Sequence, residues 1–432
     1  MRLFSCVLGL CLAWAAFGTA VVSAQDAASG QAVAAQPEAE QRTAAEQPAV
    51  GRPAGAATDV SDLWRRVRHK NEPVPVDLAA EPSKDRFLVF APTFGSKPST
   101  GLTVGLNGNM AFFRGDTSTR LSTVGGGVRV SQKKQVLANL RYALFGSDEG
   151  WYFDGDNRAN WTSINAYGLG AFTDTSGATN VKYDFLRFYE AAYRRVKPGL
   201  FVGGGFNLNS RYNIRAGGLE SSFDNSAYAS YTESHGFPLD HQASAGGNVA
   251  VRYDTRDNAI NAERGWLASA TYRTYFKGFV GGDATYQQLS VDVRTYRSLT
   301  RTGSQRIAFW MVSDLVTGGV APFLDLPTTG SDARSGRGYT EGRNRGEHLA
   351  YGEIEYRGAL TPSGLAGFVA FVNTTTIGSS ETGAQLFENA APAAGVGLRL
   401  LLNKRSRTNF YTDWGWGTNG SRGFYLGIQE AF

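Results

Sequence analysis

The 432-residue chain holds four histidines, His69, His235, His241 and His348. A serine hydrolase needs a histidine and a serine within hydrogen-bond reach. His241 with Ser244 or Ser234 is a conceivable pairing. Serine is abundant there, however, so coincidence is the better account. Asp254 and Asp257 have the spacing of paired carboxylates, but Arg256 stands between them and points to a turn network. Asp148-Glu149 and Asp154-Gly155-Asp156 read as solvated acidic turns. No glycine-rich phosphate loop and no metal-spaced cluster appears, so neither cofactor nor metal is expected. The two cysteines, Cys6 and Cys11, both fall in the first 24 residues, which removes thiol chemistry from the rest. The expectation is a protein that is not an enzyme, with a surface hydrolase as the least favoured reading.

The elements that position these residues begin with an export signal. Arg2 supplies the positive start, an apolar stretch follows, and Val22-Ser23-Ala24 offers small residues for cleavage. Leu10 stands before Cys11 where lipid attachment wants a small residue. Residues 1–24 are therefore read as a signal peptide. Residues 25–84 read as a disordered periplasmic tether, rich in Ala, Gln, Glu and Pro in their first half. A short basic amphipathic helix is possible near 59–70, around Leu63-Trp64-Arg65-Arg66-Val67-Arg68. It is either a solvated turn of linker or a lid or anchor at the periplasmic mouth.

Residues 85–432 read differently. No run of about 18 apolar residues offers a helical membrane span. The chain is nevertheless 12% aromatic, with 53 glycines and 14 prolines, and its mean hydropathy is −0.27. Apolar residues recur at every second position. In 134–144 Val136, Ala138, Leu140, Tyr142 and Leu144 alternate with Gln135, Asn139 and Arg141; in 242–254 Ala243, Ala245, Val249, Val251 and Tyr253 alternate with Ser244, Asn248, Arg252 and Asp254. Successive strand side chains point to opposite faces, so one face meets lipid and the other a wet lumen. Sixteen strands are predicted, near 86–96, 100–113, 119–131, 134–146, 149–160, 183–196, 199–213, 242–255, 264–277, 282–299, 304–318, 347–361, 365–378, 391–403, 407–417 and 422–432. The long connections, 161–182, 214–241, 319–346 and 379–390, all fall in extracellular slots if both ends are periplasmic. The fold class is thus all-β, a sixteen-stranded antiparallel transmembrane barrel in the bacterial outer membrane. The net charge of +5 is too mild to point to nucleic acid.

Three motifs go further. Tyr253-Asp254-Thr255-Arg256-Asp257-Asn258 with Gly265-Trp266 marks a periplasmic turn. Gly336-Arg337-Gly338-Tyr339 lies in the loop 319–346. The chain ends Tyr425-Leu426-Gly427-Ile428-Gln429-Glu430-Ala431-Phe432. Together with Ser99-Thr100-Gly101, these resemble the BamA/TamA superfamily of outer-membrane barrels, also called the bacterial surface antigen family, over about residues 86–432. The resemblance implies that the Arg-Gly-aromatic tip folds back into the lumen, where Arg337 meets Glu355 on the twelfth strand. A charge-assisted pair of this kind would pin the loop. Asn373 stands where the family often has a second acid. It brings no charge, so a single carboxylate partner and a weakened clamp are expected, and Asn373→Asp should strengthen it. Glu430 makes the C-terminal assembly signal of Tyr425, Gly427 and Phe432 imperfect. The tether leaves no room for periplasmic POTRA domains, so the chain is similar to short members of the superfamily. The resemblance implies a barrel that moves or inserts macromolecules, protein or lipid, through a weak seam between first and last strands. Gly95, Thr100, Gly101, Gly423 and Gly427 fit poor packing there. Its expected partners are outer-membrane lipids, a client and a separate periplasmic protein. A passive pore is the alternative.

Overall fold

The wall follows from alternation. Along Ala390–Asn403 each residue from Ala390 to Leu400 switches between exposed and buried, with Val396, Leu398 and Leu400 outward and Ala393, Gly397 and Arg399 inward. In this computed structural model, residues 57–68, 86–97, 101–115, 119–171, 173, 177–330 and 335–432 are described. The predicted signal peptide and most of the predicted tether lie outside these residues.

Sixteen strands form one antiparallel sheet in sequence order. They are β1 (Phe87–Lys97), β2 (Gly101–Phe112), β3 (Ser122–Ser131), β4 (Val136–Phe145), β5 (Trp151–Ala166), β6 (Thr179–Lys197), β7 (Leu200–Ala216), β8 (Gln242–Asp254), β9 (Gly265–Tyr275), β10 (Tyr286–Ser298), β11 (Gln305–Gly319), β12 (His348–Ala359), β13 (Ala366–Gly378), β14 (Ala390–Asn403), β15 (Thr408–Gly417) and β16 (Arg422–Ile428). Each strand is laddered to the next, but among the described residues no ladder joins β1 to β16. The barrel is nearly closed, with a seam at those two strands.

Two sets of boundaries differ from expectation. β5, β6 and β7 run further outward than predicted. Ile164, Val181 and Ile214 of these outer ends join the buried cluster under the extracellular cap, and side-chain bonds such as Gln135–Ser163 at 2.9 Å and Asn180–Asn165 at 2.8 Å tie their polar neighbours. β16, predicted to reach Phe432, stops at Ile428. Gln429 adopts φ 85° and donates its N–H to the Asn409 carbonyl at 2.8 Å, turning the last residues out of the wall.

The extracellular end is capped. The β7–β8 connection carries α2 (Glu220–Asp224) and α3 (Ala227–Ser234), the latter N-capped by Ser226. Tyr228 and Tyr231 of α3 pack edge-on against Phe323 of the β11–β12 loop. Leu324 and Leu326 join the same buried cluster. On the periplasmic side stands α1 (Val60–Arg68), in the stretch 59–70 where a short helix was one possibility.

One lipid-facing position breaks the pattern. Glu190 pairs with Gly155 across β5–β6, on the same face as Phe188 and Ala192. Tyr142 donates its hydroxyl to it, as does the Asn157 amide at 2.8 Å. A carboxyl in that band is costly unless its oxygens are satisfied, and both are.

Candidate functional site

The lumen beside β12–β15 collects the charges. Glu353, Glu355 and Arg357 alternate inward on β12; Arg399 and Asp413 do so on β14 and β15, all buried. The β11–β12 loop folds back between them. Gly338, at φ 107°, lies so close to Ala393 and the Trp416–Gly417 backbone that a Cβ would collide, so only glycine lets the tip settle on the wall. Its N–H donates to Tyr425 Oη at 3.0 Å, and that hydroxyl donates to the Tyr339 carbonyl at 3.2 Å. Tyr339 Oη donates to the Pro392 carbonyl at 2.7 Å and accepts from Thr418 N at 3.1 Å.

Arg337 is 2% exposed. Its guanidinium donates to Glu353, to Glu355 and, at 2.6 Å, to Asp413 Oδ2, while lying 3.7 Å from the Phe371 ring centroid. Burial opposes its charge, but Glu353, Glu355 and Asp413 outweigh that and hold it protonated well above the usual arginine range. Arg337 thus contacts three carboxylates, Glu353, Glu355 and Asp413, where a single partner was expected. Asn373 also differs from expectation. Its amide nitrogen donates to the Arg337 carbonyl at 2.9 Å and to Glu353 at 3.3 Å. An aspartate there would set oxygen against oxygen. Sequence reasoning named neither Asp413 nor Arg399 as part of the clamp; both lie at inward positions of alternating strands, which was the one signal available.

The network continues toward the periplasm along two branches. Arg357 donates to Glu355 at 2.5 Å and to the Phe432 carbonyl at 2.8 Å, and lies 3.5 Å from Asn261 Oδ1. Arg399 bonds Asp413 at 2.6 Å and Glu430 at 2.6 Å. Glu430, expected to blemish a terminal strand, sits in the lumen, where it also accepts from Asn409 at 2.6 Å. Phe432 stacks on Trp310 at 5.1 Å. Gly427 is an inward position opposite Tyr411.

The periplasmic turn joins this end. Asp254 accepts from Arg252 at 2.9 Å and from Arg256 Nε at 3.0 Å and Nη2 at 2.9 Å. Asp257 accepts from Glu263 N at 2.9 Å and Arg407 at 2.7 Å. Gly265 has φ 101° and touches the Thr255 carbonyl too closely for any Cβ. The turn thus folds under the barrel and packs Ala262 into the cluster that holds Phe432. The three motifs, remote in sequence, share one network.

No serine–histidine pair of the expected kind forms. His241 faces Asp240 at 2.8 Å and Asp283 at 3.5 Å, while Ser244 donates to Asp325 at 2.6 Å. Ser234 approaches His235 instead, at 3.2 Å, and donates to the Tyr231 carbonyl. Among the described residues no group of three or more His, Cys, Asp or Glu can hold a metal ion.

The family model described as the Omp85 superfamily domain matches residues 93–432. Among solved structures, the chain is similar to BamA from Haemophilus ducreyi lacking POTRA domains 1–3, at 14% identity and TM-score 0.50, covering 80% of this chain and 69% of that one. It is also similar to CdiB from Acinetobacter baumannii, at 12% identity and TM-score 0.51, covering 80% and 60%, and to CdiB from Escherichia coli, at 10% and 0.51, covering 81% and 62%. The chain thus spans under two thirds of either CdiB. No curated protein matches the sequence.

Proposed function

The chain belongs to the Omp85 superfamily of bacterial outer-membrane barrels, and from that premise we propose that it moves or inserts macromolecules, protein or lipid, through a seam between β1 and β16. The observation that carries this reading is the broken ring: among the described residues fifteen neighbouring strand pairs are laddered, while β1 and β16 are not. An unpaired edge is costly in lipid, so a seam that stays weak is best explained by a use. β16 is short because Glu430 and Phe432 are drawn into the lumen network, which leaves its inner end free to part from β1.

The loop clamp supports the same reading. Arg337 and Tyr339 hold the loop against β12, β14 and β15, and Tyr425 of β16 holds the tip as well. Parting of β16 therefore disturbs the loop that fills the lumen. A passive pore is less favoured, because that loop and the aromatic cap obstruct the channel. We further propose the short arrangement without POTRA domains, because the apolar residues of 25–84 are mostly alanine, with large side chains too few to build a core, and a separate periplasmic partner to deliver the client.

The test places photo-crosslinkable residues at Leu88 and Phe90 of β1 and at Phe424 and Leu426 of β16, with Phe188 and Tyr272 as controls on the far wall. Adducts with a protein or lipid client are expected at the seam and not at the controls. Equal labelling of seam and wall, or no adduct at any seam position, would reject the reading.

A further inference from the structure

Helix α1 is fastened to the periplasmic rim by its acids. Asp59 Oδ2 accepts from Lys404 N at 3.0 Å, and Asp62 Oδ2 accepts from Lys404 Nζ at 2.8 Å. Thr58 N donates to the Ser363 carbonyl at 3.2 Å. Lys404 lies in the β14–β15 turn and Ser363 in the β12–β13 turn. Asp59 and Asp62 also bond each other's backbone N–H, at 3.0 and 3.1 Å, which closes the first helical turn. Nothing in the seam or the loop clamp uses this helix.

Helical spacing sets Val60, Leu63, Trp64 and Val67 on one stripe, with Asp62 on the opposite side. Because Asp62 faces the rim, the stripe faces away from it. Leu63 is 39% exposed, Trp64 59% and Val67 66%. Positions 65, 66 and 68 are arginines. Leu360 and Leu400, on the lipid-facing side of the strand ends beside both anchors, are also exposed, so acyl chains reach to within a few residues of the helix. The lumen mouth on this side is different, lined by the paired Arg357, Arg399, Glu430 and Asn409. An apolar stripe gains nothing by covering those charges.

We propose that α1 is an interfacial anchor that lies in the periplasmic leaflet of the outer membrane. Leu63, Trp64 and Val67 enter the acyl boundary, and the three arginines that the sequence carries at 65, 66 and 68 make the segment basic, as a layer rich in phosphate favours. A basic helix with an aromatic on its apolar side suits that layer. The anchor holds the rim under β12–β15, the same arc of wall that carries the loop clamp, level with the membrane surface.

The test uses the absence of cysteine beyond Cys11. Val67→Cys and, on the polar side, Ser61→Cys each receive an environment-sensitive dye in the full barrel, reconstituted in phosphatidylethanolamine–phosphatidylglycerol vesicles. Emission from position 67 is expected to shift to the blue and to be quenched by brominated acyl chains; emission from position 61 is not. The combined Arg65→Glu, Arg66→Glu and Arg68→Glu variant should lose most of that quenching while the barrel keeps its heat-modifiable migration. If the dye at position 67 is quenched by aqueous iodide and not by brominated lipid, α1 is a solvated turn or a lid, and the anchor is rejected. Quenching that survives the charge reversal would reject the role of the arginines.

Discussion

Arg337 is worth most where it is least accessible. Arg337, Arg357 and Arg399 face Glu353, Glu355, Asp413 and Glu430 in one buried network. Arg337→Ala leaves Glu353 without a cation, holding only Tyr351 Oη at 2.5 Å and the Asn373 amide. Stranding a dry buried charge costs roughly 3–5 kcal/mol, and less where water enters. The ladders of the wall do not pass through the loop. The variant should therefore be cut by protease within residues 320–347 while keeping its heat-modifiable migration; a loop as resistant as the parent's would sink the clamp. Asn373→Asp should loosen the loop rather than tighten it, because it loses a donor to the Arg337 carbonyl at a cost of about 1–3 kcal/mol. Faster proteolysis than the parent is the expected result. At Glu190, Tyr142→Phe should destabilise the barrel by a similar amount, about 1–3 kcal/mol in urea unfolding. The loss should shrink when Glu190→Leu is added, because the two share one interaction. Additive losses would mean that the hydroxyl does not serve the carboxyl.

At the level of strands, the wall was legible and its ends were not. Lipid imposes a period of two, so Val396, Leu398 and Leu400 announce a strand whatever the rest of the chain does. The lumen imposes no such rule. Any polar residue is acceptable inward, and only the curvature that brings β15 opposite β12 selects Asp413 over its neighbours as a partner for Arg337. The inward turn at Gln429 was hidden for a related reason: Phe432 falls in step with Phe424, Leu426 and Ile428, which suits a lipid-facing strand, but the cluster of Tyr296, Trp310 and Tyr351 claims it from inside. Phe432 is 4% exposed. Phe432→Ala removes a buried ring, a change that typically costs 3–5 kcal/mol. It should lower the urea midpoint of the folded barrel in vesicles and raise crosslinking between the seam and its surroundings. An unchanged midpoint would return Phe432 to a role in assembly alone.

Across the whole molecule, the β11–β12 loop is a strut fixed at two ends. Arg337 binds β12 and β15. Near the start of the loop Asp325 accepts from Asn209 at 3.0 Å, Arg211 at 2.6 Å and Ser244 at 2.6 Å, on β7 and β8. The anchors thus sit on different arcs of the wall, with the loop carried between them through the lumen. Beside the first anchor, Arg345 donates to the Phe323 carbonyl at 2.7 Å and pairs with the backbone of Gly170 from the β5–β6 loop, so the extracellular cap rests on the same strut. Either anchor alone keeps part of the loop inside, because the other end stays tied to the wall. Arg337→Ala or Asp325→Ala singly should raise ion conductance across a planar bilayer only modestly, and the two together should raise it by more than the sum of the single increases. Such an excess is expected when two contacts hold one element. If the double variant conducts no better than the parent, the loop does not obstruct the channel.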